Sequence, residues 1–326
     1  MQAIDRDVLQ HAVDWLTERP WLCTIVATIG SSPRPVGSLV VIADDGRQVG
    51  SVSGGCVEED LVERLRTGQY PGLTPELIEY GVSAEENERL GLPCGGRIQL
   101  LLQRLTAQDR PWLDAALGAL EERRCLQRQL ALDSGSTATQ IVDHFAPLAM
   151  ADGQLRQCFG PRQRLLLVGA GQLAQSLAEL GQALDFEVMV TDPREQFLSQ
   201  WQGPAVRLLP GMPDDAVREY ANDRHSVIIT LTHDPRIDDM ALMEALGSEA
   251  WYVGALGSQR TTSKRLERLR QLDLPEEQIA RLHAPVGLDI GSKTPVEIAV
   301  SIMAELTSLR RDRGSQSKGG SPLTTG

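Results

Sequence analysis

The sequence predicts an α/β protein in two parts: a small amino-terminal domain of mixed α+β structure, followed by a Rossmann-like, doubly wound parallel sheet. Three observations carry that prediction. A continuous apolar strand runs directly into Gly169-Ala170-Gly171-Gln172-Leu173-Ala174, a glycine-punctuated strand-to-helix turn. Beyond it, strand-sized β-branched runs alternate with helix-sized segments, the pattern of a parallel sheet joined by crossover helices. Ahead of it, strands are joined by a tight turn and a proline loop, which suits a small separate sheet.

Composition narrows the classes. The chain has 326 residues, enough for two cores, and 41% hydrophobic with 4% aromatic residues predicts aliphatic interiors. A formal net charge of −12 disfavours general binding to nucleic acid or to anionic membranes. The longest apolar runs, such as 165–170 and 227–231, are strand-sized and far short of the roughly 20 residues that span a bilayer. The first residues mix Asp5, Arg6, Asp7 and Asp14 among apolar ones, so no export signal is read. Five cysteines (Cys23, Cys56, Cys94, Cys125, Cys158) contain no CxxC pair, which fits a reduced, cytoplasmic setting with neither a zinc site nor a disulfide framework.

In chain order, Trp21 to Thr28 and Ser38 to Ile42 read as strands, and Asp44-Asp45-Gly46 turns into a third, Arg47 to Val52. Between the first two, Gly30-Ser31-Ser32-Pro33-Arg34-Pro35-Val36-Gly37 holds Arg34 in an extended loop, suited to presenting a guanidinium to phosphate. The segment Ser53-Gly54-Gly55-Cys56-Val57-Glu58 follows, with Cys56 opening a helix from Val57 to Leu65. Free N–H groups and the dipole there favour a thiolate. Pro93-Cys94-Gly95-Gly96-Arg97 repeats the pairing of a cysteine with two glycines, which lack the Cβ that would hold a ligand off. Pro111 to Arg124 reads as a helix with Leu113, Leu117 and Leu120 on one face, and 125–160 as short strand-like runs and turns. A boundary near Phe159-Gly160-Pro161 gives domains 1–160 and 161–312, with a disordered tail at 313–326.

In the second half, Arg164 to Val168 is a strand and the helix after the glycine turn runs to about Leu184. Gly169 permits the tight turn, Gly171 lets backbone reach a pyrophosphate, and small Ala174 lets the helix pack on the strand. The next strand, Glu187 to Thr191, ends at Asp192, about 20 residues past Gly171, where a ribose-binding carboxylate belongs. Strands Val227 to Leu231 and Trp251 to Ala255 bracket a helix from Asp238 to Leu246. A basic helix from Ser263 to Leu272 follows, and its Lys264, Arg265, Arg268 and Arg270 read as a solvated face. Thr232-His233-Asp234 and Gly257-Ser258-Gln259-Arg260 fall at carboxyl ends of strands, where ligands of open sheets bind. His233 suits a general acid or base, or an imidazole held by Asp234 or by backbone. Thr294, Pro295 and Glu297 spell a capping box for a helix to about Arg310, beside Lys293.

With both halves read, the chain resembles the XdhC/CoxI family, accessory factors of bacterial molybdenum hydroxylases such as xanthine dehydrogenase, over about 22–105 and 165–309. The motifs that carry the resemblance are the 30–37 loop, Gly54-Gly55-Cys56-Val57-Glu58, Cys94-Gly95-Gly96-Arg97, Gly169-Ala170-Gly171, Thr232-His233-Asp234, Gly257-Ser258 and the block 284–291. Gln172 stands where the family fingerprint often has histidine. The resemblance implies a maturation chaperone rather than an enzyme. Such a protein binds and protects molybdenum cofactor, supports its sulfuration with a cysteine desulfurase, and delivers it to an apo molybdenum hydroxylase of xanthine dehydrogenase or aldehyde oxidoreductase type. On that reading Cys56 and Cys94 meet the molybdenum. Arg34, Gly54, Gly55, Gly95, Gly96, Gly169, Gly171, Asp192, His233 and Ser258 contact the rest of the cofactor, as molybdopterin or its cytosine dinucleotide form. A homodimer is expected, with no nucleic-acid or membrane partner. The alternatives are an NAD(P)-dependent oxidoreductase using His233, which leaves the two glycine-flanked cysteines without a role, and an adaptor with an empty Rossmann domain.

Overall fold

A computed structural model describes residues 3–30, 34–89 and 96–316. The chain divides into two compact units, Met1–Pro161 and Arg162–Gly326.

The first unit contains α1 (Ala3–Asp14), β1 (Trp21–Ile29), β2 (Leu39–Ile42), β3 (Gln48–Gly50), α2 (Cys56–Arg66), β4 (Glu76–Tyr80), α3 (Ala84–Arg89), β5 (Arg97–Arg104) and α4 (Arg110–Glu121). Its strands form an antiparallel sheet in the order β3-β2-β1-β5-β4. Side chains alternate between the two faces with the period of a strand. Leu22, Leu39 and Val41 join α1 and α4 in one core, while Trp21, Cys23, Ile25, Val40 and Ile42 join Val57, Leu61 and Leu65 of α2 in the other. Burial on both faces is why β1 and β2 carry apolar residues on both faces, interrupted in β1 only by Thr24 and Thr28.

The segment expected only as strand-like runs and turns forms a second antiparallel sheet of four strands. It consists of β6 (Cys125–Ala131), β7 (Thr137–Val142), β8 (Ala149–Ala151) and β9 (Gln154–Phe159), in the order β7-β6-β9-β8. Leu130 and Leu155 of this sheet pack against Val26 and Leu101 of the first.

Register fixes where the loops of the five-stranded sheet emerge. Ile29, ending β1, lies opposite Arg97, which begins β5, and Gly50, ending β3, lies opposite Val40 near the start of β2. Gly30, residues 34–38, residues 51–55 and Gly96 therefore lie at one edge of the sheet.

The second unit contains β10 (Arg164–Val168), α5 (Gln172–Ala183), β11 (Glu187–Asp192), α6 (Glu195–Ser199), β12 (Arg207–Pro210), α7 (Pro213–Tyr220), β13 (Ser226–Thr230), α8 (Pro235–Gly247), β14 (Tyr252–Ala255), α9 (Gln259–Gln271), α10 (Glu276–Ile279), β15 (Leu282–His283) and α11 (Pro295–Gln316). All six strands are parallel, in the order β12-β11-β10-β13-β14-β15. The chain starts mid-sheet, winds outward through β11 and β12, then crosses back to β13 and winds the other way, which is the doubly wound topology. Leu165 and Leu167 face α5 and α11, whereas Leu166 and Val168 face α7, α8 and α9.

Several helix ends differ from expectation, most at α9 and α11. Helix α9 starts at Gln259, before the expected Ser263, because Ser258 caps it and its Oγ accepts from Thr261 N at 3.2 Å. Helix α11 continues past Arg310 to Gln316, into the stretch expected as tail. Arg311, Asp312 and Arg313 contain no helix breaker before Gly314. Residues 317–326 lie outside the described residues.

Candidate functional site

At the shared edge of the first unit, one carboxylate organises the loop that leads into Cys56. Glu58 is 2% exposed and accepts hydrogen bonds from Ser51 Oγ (2.7 Å), Val52 N (2.8 Å), Ser53 N (2.9 Å), Gly55 N (3.0 Å) and Ser53 Oγ. Burial opposes its charge, but the donors from Ser53, Ser51 and the loop backbone outweigh burial and hold the carboxyl at about 2. The two serines are doubly used, since Ser51 Oγ accepts from Gly54 N and Ser53 Oγ from Val57 N, each at 2.9 Å. Gly54 and Gly55 adopt φ of +86° and +121°, and a Cβ on either would have no atom within 4 Å. Conformation, not crowding, requires glycine there, and the surface above the loop stays open.

Cys56 is the first residue of α2. Cys23, by contrast, is fully buried in the sheet, and burial followed by the Glu58 charge pushes its thiol up, so it is an inert core residue. A Cβ on Gly30 would lie 3.5 Å from Gly96 Cα, so the base of the Arg34 loop touches the start of β5. Arg34 is half-buried in that loop. The edge thus gathers the Arg34 loop, Gly54, Gly55, Cys56 and Gly96. Cys94 and Gly95 lie outside the described residues, as do Ser31, Ser32 and Pro33. The role of Glu58 was not singled out from sequence, although its place three residues after Gly55 is the acidic position of a capping box.

In the second unit, Gly169, Gly171, Asp192, His233 and Ser258 all follow strand ends along the carboxyl edge of the parallel sheet. Gly169 has φ of +112°, and a Cβ there would come within 2.9 Å of Thr232 Cγ2. Gly171 is the N-cap of α5, with nothing within 4 Å of its missing Cβ and no side chain capping the helix. The first helical backbone bond is from Gln175 N to Gly171 O, which leaves the preceding N–H groups for an outside acceptor. This turn fits a phosphate or pyrophosphate.

Asp192 stands at the end of β11, yet its bonding capacity is already used. It is fully buried and accepts from Ala170 N (3.0 Å), Arg194 N (3.0 Å), Arg194 Nε (2.8 Å) and Arg194 Nη2 (2.8 Å). Burial raises its pKa, but the Arg194 guanidinium and the two N–H groups prevail and lower it. Arg194 also lies over the Phe197 ring, 3.9 Å from its centroid. A ribose hydroxyl at Asp192 would have to displace Arg194, a residue the fingerprint spacing did not bring into view.

The ends of β13 and β14 open onto a cavity of about 550 Å³. His233 is exposed at its mouth, and Asp234 does not hold the imidazole. Asp234 instead caps α8, accepting from Arg236 N at 3.0 Å and pairing with Arg236 Nη2 at 2.7 Å. The basic helix corrects a sequence reading: Arg265 is not a solvated residue but 2% exposed, paired with Asp238 at 3.1 Å, and Arg268 pairs with Asp239. Thr262, Arg265 and Leu269 form the buried stripe of α9, so helical spacing marked Arg265 as inward-facing where its charge suggested otherwise. Asp238 also accepts from Thr232 N (3.2 Å) and Thr232 Oγ1 (2.7 Å), and burial raises its pKa to about 6. Among the described residues no group of three or more His, Cys, Asp or Glu side chains could hold a metal ion.

Comparison with known proteins matches both units. The XdhC Rossmann domain matches residues 165–306, and the XdhC and CoxI family model matches residues 15–80. The chain belongs to the XdhC/CoxI family. The family's Rossmann match runs from β10 into α11 and takes in the whole carboxyl edge, while its amino-terminal match takes in the Glu58-centred loop and Cys56. A probable xanthine dehydrogenase subunit of Bacillus subtilis (strain 168) is 27% identical over 321 residues, covering 90% of this chain and 94% of that protein. The molybdenum cofactor insertion chaperone PaoD of Escherichia coli (strain K12) is 29% identical over 311 residues, covering 94% of this chain and 88% of that protein. A crystal structure of a protein described as a xanthine dehydrogenase from Bacillus halodurans superposes with a TM-score of 0.73 at 25% identity, over 98% of each chain.

Proposed function

We propose that this member of the XdhC/CoxI family is a molybdenum-cofactor insertion chaperone that serves an apo molybdenum hydroxylase of xanthine dehydrogenase or aldehyde oxidoreductase type. The observation that carries the reading is the uncapped, glycine-lined start of α5 in a chain similar to an insertion chaperone over nearly its whole length. Molybdenum cofactor is an anionic pterin ending in a phosphate or, as the cytosine dinucleotide, a pyrophosphate and ribose. Gly169 and Gly171 would receive that phosphate or pyrophosphate, and Asp192 the ribose once Arg194 yields. Cys56 and Cys94 would be soft thiolate donors toward molybdenum, and Arg34 would present its guanidinium to a phosphate. The same thiolates suit cooperation with a cysteine desulfurase during sulfuration of the cofactor. An NAD(P)-dependent oxidoreductase would use the α5 turn equally well, yet gives no task to the loop that Glu58 holds ahead of Cys56.

The test is molybdenum content per protomer, with oxidised-pterin fluorescence, on protein from a molybdenum-replete host. Cys56→Ser and Cys94→Ser are each expected to lose retained molybdenum while their thermal melts stay at the wild-type position. Wild-type occupancy in both folded variants would reject thiolate binding. Saturable NADH binding by a protein that never retains pterin would favour the oxidoreductase instead.

A further inference from the structure

The cavity at the ends of β13 and β14 is built around a buried cation whose donors are only partly used. Arg265 Nη2 donates to Asp238 Oδ2 and to Leu256 O, each at 3.1 Å. Its Nε and Nη1 are buried and have no partner among the described residues. A buried donor without an acceptor costs about 1–3 kcal/mol, and native proteins rarely keep one without cause. Gly257 comes close to this guanidinium, since a Cβ on it would lie 3.5 Å from Nη1.

The surroundings are those of an anion site. Arg260 and Lys264, both exposed at the cavity, form no ion pair among the described residues. Helix α9 is 13 residues long and starts at this mouth, where its first N–H groups have no intrahelical partner. Ser258 and Thr261 add hydroxyls, hydrogen-bonded to each other at 3.0 Å. In a chain of net charge −12, the buried carboxylates Asp238 and Asp239 are matched by Arg265 and Arg268, which leaves Arg260 and Lys264 as excess positive charge at the cavity and favours an anion. Guanidinium, ammonium and helix N–H donors of α9 line one cavity, a donor set rich enough for the several oxygens of a phosphate dianion. The volume, about 550 Å³, is that of a small-molecule site.

We propose that this cavity is a phosphate-monoester subsite, separate from the glycine turn of α5, with Arg265 as its buried fork and Arg260 and Lys264 as its outer cations. It goes beyond the cofactor reading, because it requires only a phosphate group and not a molybdenum pterin. The phosphate belongs either to the cofactor or to a second small ligand.

The experiment titrates inorganic phosphate into full-length, cofactor-free protein, followed by ³¹P line broadening and calorimetry. A saturable site is expected, beside any second phosphate site at the α5 turn, that weakens at least about tenfold in Lys264→Ala and in Arg260→Ala, both exposed positions that leave the fold intact. Gln172→Glu, which places a negative charge at the start of α5, should leave that site unchanged. No saturable phosphate binding, or binding indifferent to Arg260 and Lys264 but lost in Gln172→Glu, would overturn the proposal. Because the protein carries no cofactor, failure here leaves the molybdenum-retention result standing, and failure there leaves this one. Displacement of bound phosphate when cofactor is added would assign the phosphate to the cofactor, and co-binding would assign it to a second ligand; both outcomes support the subsite.

Discussion

Single residues set the chemistry of both edges, and Glu58 does so through a charge. Five donors from Ser51, Val52, Ser53 and Gly55 converge on its carboxylate. Glu58→Gln replaces an acceptor oxygen by a donor and leaves part of that set unmatched, so a loss of about 1–3 kcal/mol is expected, read as a lower melting temperature. The pH dependence has a definite sign. The carboxyl sits at about 2 against an ordinary 4.5, so its stabilisation is complete above pH 4.5 and is lost as pH falls from 4.5 toward 2. Acid melts of the wild type should steepen across that window and those of Glu58→Gln should not; equal slopes would show that the charge is not what holds the loop. The same scale shows where sequence reading stops. The Asp192 carboxylate was legible from its distance to Gly171, but whether its charge was already matched depended on Arg194 folding back from beyond the strand, a side-chain choice that spacing does not encode. Arg265 was hidden differently, by the assumption that charge means solvent, although Thr262 and Leu269 place it on the buried stripe.

At the scale of elements, the strand-turn-helix of β10 and α5 was legible because two independent constraints coincide: a strand buried on both faces must be continuously apolar, and the turn after it tolerates no Cβ. Gly169→Ala tests the second. With φ of +112° and Thr232 Cγ2 at 2.9 Å from the added methyl, the variant is expected to lose on the order of 1–3 kcal/mol and to release phosphate-bearing ligands from α5. A melt within about 0.5 kcal/mol of wild type would mean that the turn can relax. The sheet of β6 to β9 was illegible for the opposite reason. Thr137–Val142 and Ala149–Ala151 are mostly exposed, so neither continuous burial nor clean alternation marks them, and the sheet is anchored to its neighbour from β6 and β9, through Leu126, Leu130, Leu155 and Phe159.

At the scale of the whole molecule, each unit closes its own cores. In the second, one face of the sheet is completed by α11, whose Ala299, Ile302, Met303 and Leu306 are buried against Leu165, Leu167 and α5. Burying Ile302, Met303 and Leu306 contributes roughly 5–9 kcal/mol, comparable with the about 5–15 kcal/mol that separates an ordinary domain from its unfolded chain. Removing residues from Pro295 onward is therefore expected to abolish the cooperative melt of the second unit and to spare that of the first; two intact transitions after truncation would contradict this. The position of α11 after all six strands in chain order also bears on synthesis. While the ribosome is still making this helix, the face of the nascent sheet that carries Leu165 and Leu167 is covered only in part, by α5. The first unit can fold as it emerges, but the second must wait for its final helix. Any ligand site at the α5 turn is thus complete only after translation has passed Leu306.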